Sequence, residues 1–417
     1  MSGSFTSLDV SLAIIPKVGG TLSIIACVFI IRDVIRKWKL KRSVPLTSVI
    51  VFCISVADLI FSFFAAVMST WMFPANTTAV VDETVVTIPV YLASGTTQSC
   101  TAQGFISSLS VQASICYYTE LMVLYWLIVH FGWTDRRLSQ PRLRLFFIIV
   151  PIIISVGITV PPLFFGMYNY PRYAYSCYLS ESPNGCELSD VVDCERGDGA
   201  REYIYGCLSV VLFCSIIIMT VVSMLVYEIY YQEKKIDRFL TQGQEQRRVM
   251  TIKTAWQGLY YIGAYNASYF PYILWAICFI KGIPPPAAIQ YLIFIFIPLL
   301  GCFNAFVYFR PRYLNYKGAN PDKSRIFCLR NTLHIDLIWL SPLTFGRLSS
   351  TTSAQCMDSE RVDPSERRLS ATIIVQCKDS ERVDPSELED CGDLPSPIVR
   401  GVDGDCMDHE VLPSPLL

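Results

Sequence analysis

Two acids stand inside stretches that are otherwise apolar: Asp58 in SVADLIF and Glu120 in YYTELMV. A carboxyl group in hydrocarbon is costly unless it faces inward and finds a partner. Each is therefore read as part of an inward-facing polar network that rearranges between two packings. The plainer alternative is a static hydrogen bond holding helices together. Pro271 follows Tyr269 and Phe270, with Asn266 about one turn earlier. Proline removes a backbone donor and crowds the preceding turn, which predicts a kink there. Tyr260, Tyr261, Tyr265, Tyr269 and Tyr272 surround that point with hydroxyls. Asn304 and Tyr308 are four apart, hence on one helical face, and just precede Arg310 and Arg312. They read as a hinge or latch. Catalytic chemistry has little to work with. The histidines are His130, His334 and His409, and no cysteine–histidine cluster suits zinc. No enzyme activity, metal or cofactor is expected.

Such residues need long apolar helices to hold them. The chain has 417 residues, 52% of them hydrophobic and 17% charged, with a mean hydropathy of +0.41. Soluble domains carry roughly 25% charge. Seven stretches reach the ~20 apolar residues that cross a bilayer: 11–34, 44–72, 101–131, 144–168, 203–230, 253–280 and 285–309. The connections alternate in charge. The first is basic (Arg32, Arg36, Lys37, Lys39), as are the third (Arg136, Arg137, Arg142, Arg144) and the fifth (Lys234, Lys235, Arg247, Arg248). The second has Asp82 and Glu83 but no base, and the fourth is acidic. Basic residues at span ends favour the cytoplasm. The expectation is an all-α membrane protein: a seven-transmembrane helix bundle with an extracellular N-terminus (1–10), a membrane domain (11–313) and a disordered cytoplasmic tail (314–417).

Cysteines agree with that orientation. Cys100 heads the third stretch, and Cys177, Cys186 and Cys194 lie in the fourth connection. Four cysteines allow three full pairings. Cys100 is expected to join one loop cysteine, leaving the other two to pair locally. Asn76-Thr77-Thr78 is a glycosylation sequon on the same expected side.

Taken in order, these residues make the chain resemble a eukaryotic G-protein-coupled receptor of the microbial cyclic-AMP-receptor-like branch, near the secretin-like class, over about residues 11–313. Cys100 is similar to the cysteine heading the third helix of such receptors. SVADL resembles their second-helix motif, Asn304-Ala305-Phe306-Val307-Tyr308 the seventh-helix Asn-Pro-x-x-Tyr, and Tyr269-Phe270-Pro271 the sixth-helix aromatic-x-proline switch. Glu120 lies near the third-helix glutamate of the secretin-like class. No Asp-Arg-Tyr closes the third stretch, which reads VLYWLIVHFGW. The resemblance implies an unidentified extracellular ligand bound under a disulfide-tethered loop. It also implies a heterotrimeric G protein at the opened inner face, with Arg136, Arg137, Arg247 and Arg248 as contact candidates. Those arginines serve the inside-charge rule equally well.

A seven-span transporter of a small solute is the rival reading. A retinal protein is disfavoured because 285–309 contains no lysine. Membrane lipid is an expected partner, and nucleic acid is not. The tail carries a direct repeat, QCMDSERVDPSE at 355–366 and QCKDSERVDPSE at 376–387. Ser370, in Arg-Arg-Leu-Ser, and the proline-directed Ser396 and Ser414 are phosphorylation candidates for recruiting an arrestin-like or scaffold partner. Cys328, beside Arg325 and Arg330, is a palmitoylation candidate.

Overall fold

The structure, a computed structural model, describes residues 7–333 except 41–43, 139, 172–173, 237–241, 282 and 284. All of these fall in one compact unit, 1–340. The second unit, 341–417, lies outside the described residues, and with it Ser370, Ser396 and Ser414.

Long helices dominate: α1 Ser7–Lys39, α2 Leu46–Phe61, α3 Thr97–Phe131, α5 Pro141–Thr159, α7 Ala200–Ile236, α8 Gln242–Ile280, α9 Ala287–Phe296 and α10 Leu300–Ala319. The short helices α4 Asp135–Leu138 and α6 Pro161–Phe164 flank α5, and α11 Arg325–Thr332 closes the described chain. Helix starts and stops follow local chemistry. Thr96 and Ser99 cap the start of α3 reciprocally: Ser99 N donates to Thr96 Oγ1 at 3.2 Å and Thr96 N to Ser99 Oγ at 2.8 Å. Two otherwise orphaned amides are thereby satisfied. Gly132, at φ +62°, ends α3 in the left-handed conformation that glycine adopts without penalty. Pro141 opens α5, where its missing N–H costs nothing.

The expected seven-span, all-α bundle is not what this chain forms. Among the described residues five helical stretches are long and apolar enough to cross a membrane: Asp9–Lys39, Leu46–Met72, Thr97–Phe131, Pro141–Phe164 and Ala200–Glu228. The pair α9 and α10 makes a sixth only if counted together, because the two are bent by 48° at their junction. That junction holds Pro298, which has no N–H to continue the helical ladder. The expected span 253–280 falls in α8, whose tyrosines, Asn266, Ser268 and Pro271 dilute its apolar character. Helix α8 runs through Pro271 without ending. Two small antiparallel sheets also depart from an all-α fold. One pairs β1 Asn76–Val81 with β2 Thr84–Pro89 and the other pairs β3 Tyr168–Asn169 with β4 Tyr178–Leu179. Asp82 and Glu83 both take positive φ between β1 and β2, the twist that a two-residue hairpin turn requires. Thr, Val and Ile, which favour extended backbone, make up most of β1 and β2. Several apolar helices of spanning length nevertheless make this a multi-pass membrane protein.

Close packing depends on small residues. A Cβ on Gly301 of α10 would come within 2.5 Å of Cys27 Sγ and Ser23 Oγ on α1. A Cβ on Gly20 of α1 would meet Ala66 Cβ at 2.6 Å. Without a hydrophobic force between helices in lipid, such approach distances determine which helices associate.

Candidate functional site

Two ends of the helix assembly differ in chemistry. At the end where α3 begins, Cys100 is disulfide-bonded to Cys177 and Cys186 to Cys194. At the other, α1 ends in Arg36, Lys37 and Lys39 and α10 carries Arg310 and Arg312. We refer to these as the disulfide end and the basic end.

At the disulfide end lies a cavity of about 690 Å³, bounded by α3, α7, α8, α9 and the segment between α6 and α7. That segment is held in place by more than its cysteine. Gln103 of α3 is buried and fully used: its Nε2 donates to Phe64 O at 2.7 Å and Ser69 O at 3.0 Å, while its Oε1 accepts from Cys177 N at 3.0 Å. Ser69, at φ +37°, donates from Oγ to Tyr175 O at 2.8 Å. The hairpin clasps the segment from outside through Val80 N to Asn184 O and Asn184 N to Thr78 O, each 2.9 Å. A loop can be buried only when its backbone groups find partners in this way. Asn76 is exposed at the first position of β1, on this same end.

Below the cavity sits a buried polar knot. Asp58 of α2 is 3% exposed and Asn304 of α10 is 1% exposed. Ser114 Oγ donates to Asp58 Oδ1 at 2.7 Å, and Asn304 Nδ2 donates to Asp58 Oδ2 at 2.7 Å. The Tyr118 hydroxyl donates to Asn304 Oδ1. Three helices thus meet at one carboxyl group. Tyr118 is in ring contact with Tyr265 (5.4 Å between centroids), and Tyr265 with Tyr269 (4.6 Å). Tyr269 lines the cavity.

One turn beyond Asn304, Tyr308 donates to Asp33 Oδ2 at 2.7 Å. Arg312 grips the same carboxylate with both terminal nitrogens, at 2.6 and 2.7 Å. Lys37 adds an ion pair at 3.2 Å and donates to the Tyr308 hydroxyl at 3.0 Å. A planar guanidinium matched to a carboxylate is the strongest form of such a pair. Here it ties the end of α1 to α10.

The structure brings Asp58, Asn304 and Tyr308 into this series and places Tyr269 at the cavity, with Pro271 in the same helix. Glu120 stands apart. It shares no hydrogen bond with Asp58, and its Oε2 is buried without a partner among the described residues. Arg137 covers the Trp133 ring at 4.5 Å. Arg136, Arg247 and Arg248 lie in α4 and α8, but their side chains are outside the described residues. Cys328 is fully buried in α11, so acylation there would require α11 to detach.

Several participants escaped sequence reasoning. Asp33 was masked by the basic run around it, although its spacing to Lys37 is that of a helical ion pair. Tyr118 and Gln103 looked like ordinary polar residues of the third stretch. Lys17 of α1 donates to Val67 O at 3.0 Å and lies 4.1 Å over the Trp71 ring. It satisfies a carbonyl where α2 gives way to a wider turn, Ser62–Met68. A scan against models of known families finds no match for this chain, and neither does a search of curated proteins.

Proposed function

We propose that this protein is a plasma-membrane receptor. It binds an extracellular ligand in the cavity at the disulfide end and activates a heterotrimeric G protein by opening its basic end. The observation that carries this reading is the series of contacts Tyr269, Tyr265, Tyr118 and Asn304 with Asp58, joined by one turn of α10 to Tyr308 with Asp33 at the basic end. Disulfides belong in an oxidising compartment, and basic residues at span ends favour the cytoplasm. Both support a cavity that faces the outside.

The mechanism needs two packings and a ligand that prefers one of them. In the packing described, Asp33 holds α10 against α1 through Arg312 and Tyr308. A ligand pressing on Tyr269 would shift the ring series, disturb Asn304, and loosen Tyr308 one turn further on. Two distinct sites biasing one pair of global states is what allostery requires.

The test does not wait for a ligand. Asp33→Asn, which weakens the α1–α10 latch, should raise unstimulated nucleotide exchange on heterotrimeric G proteins from the protein's own cell. Wild-type and Asp33→Asn proteins that both fold and reach the surface yet stimulate no G protein would overturn the coupling claim. The 48° break between α9 and α10 favours a second reading, a solute transporter, since interrupted helices often form substrate sites. Solute flux in reconstituted vesicles distinguishes it.

A further inference from the structure

We propose that the cavity selects an uncharged aromatic ligand, held against tyrosine and tryptophan rings and hydrogen-bonded by Ser107, Gln112 and Gln290. This rests on the receptor reading for its purpose but on the cavity alone for its chemistry.

The walls supply the aromatic half of the argument. Tyr272 and Trp275 present stacked rings 5.5 Å apart, and Tyr175 meets Phe294 edge-on at 5.6 Å. All four line the cavity, together with Tyr178 and Tyr269. A volume of about 690 Å³ is within the range that encloses a drug-sized molecule rather than a peptide.

The polar half comes from groups left unpaired. Ser107 Oγ, Gln112 Oε1 and Gln290 Oε1 are buried, line the cavity, and have no hydrogen-bond partner among the described residues. Buried polar groups in folded proteins are nearly always paired. With Ser108 Oγ, four orphans converge on one cavity and describe a partner that supplies donors to two amide oxygens and a donor or acceptor to each hydroxyl. A primary carboxamide, with two N–H donors and a carbonyl acceptor, has that pattern.

Charge argues by its scarcity. Among the described lining residues the only Asp, Glu, Lys, Arg or His are Glu181 and Arg201. Neither is free: Glu181 Oε1 accepts from Gly185 N at 2.9 Å, and Arg201 has interactions of its own. Asp58, deeper in, has both oxygens engaged. An ammonium or carboxylate entering the cavity would lose its water and, seated at Ser107, Gln112 and Gln290, would meet only neutral side chains, which is unfavourable.

Three matched probes test this: 1-benzylindole-3-acetamide, 1-benzylindole-3-acetate and 1-benzyltryptamine. They share one aromatic body and differ in charge. Binding to the full chain in nanodiscs is measured by calorimetry. The neutral acetamide should bind at least about tenfold more tightly than either charged probe. Gln112→Leu should weaken the acetamide at least about fivefold while leaving the weaker charged probes unchanged. Ser107→Ala serves as the second variant if Gln112→Leu fails to fold. A charged probe that equals or beats the acetamide overturns the proposal. So does an acetamide affinity indifferent to both substitutions, or a folded protein that binds none of the three. Since no G protein is present, this outcome is independent of the exchange assay. Failure of either leaves the other result standing.

Discussion

Replacing Asn304 with leucine removes two interhelical hydrogen bonds at nearly constant volume, the one given to Asp58 and the one taken from Tyr118. Hydrogen bonds between helices in a membrane average about 0.6 kcal/mol and reach about 1.7. Those ending on a carboxylate belong near the upper figure. Losing two should therefore cost roughly 1–3 kcal/mol. Ser114→Ala removes one bond to the same carboxyl and should cost roughly half as much. Tyr118→Phe, which removes only the bond to Asn304, should resemble Ser114→Ala. Both Asn304 and Ser114 act on Asp58, so their losses are not independent. The double variant should deviate from additivity by about 0.5 kcal/mol or more. Thermal unfolding of the purified chain in nanodiscs measures this directly. The buried thiols of Cys27, Cys116 and Cys214 react with a fluorogenic dye only as the helices part. At about 2–4 °C per kcal/mol on the scale of soluble domains, Asn304→Leu should melt several degrees below wild type. Should it melt within about 1 °C of wild type, or the two single losses simply add, Asp58 is not a shared anchor. The contact series on which the functional reading depends would then be broken in the middle.

Other outcomes follow from neighbouring contacts. Asp33→Asn should destabilise by about 1–3 kcal/mol, below the 3–5 of a fully buried broken pair, because Arg312 retains partial access to water; the same unfolding assay reads it. Loss of the Cys100–Cys177 bond should cost more than loss of Cys186–Cys194. The first closes 77 residues and the second 8, and chain entropy grows with the loop; unfolding of Cys177→Ser and Cys186→Ser compares them. Gly301→Ala should cost about 1–3 kcal/mol, since its methyl would overlap Cys27 and Ser23. Gly157→Ala, with open space at its Cβ, is the control and should melt near wild type.

Much about this protein is written in local properties of the chain. Runs such as Ala200–Glu228 and Leu46–Met72 are apolar over the thickness of a bilayer, and a helix satisfies its own backbone. Membrane residence was therefore readable without a structure. The importance of Asp58 was readable too, because a lone acid in such a run must find a partner. The identity of that partner was not, since Ser114 and Asn304 lie 56 and 246 residues away and only packing brings them to one carboxyl. The number of crossings also lay beyond the reach of pattern. Hydropathy sums along the chain and treats 285–309 as one segment, whereas backbone geometry at Pro298 divides it into α9 and α10. The hairpin 76–89 was read as a mere connection because strand pairing is a relation between segments, not a property of either. The cavity belongs to this second class. Its walls come from elements far apart in the chain, and its unpaired Ser107, Gln112 and Gln290 become informative only when burial removes them from water. Composition determines where each helix can reside; the approach of distant side chains in three dimensions decides which polar groups are satisfied and which are left unpaired.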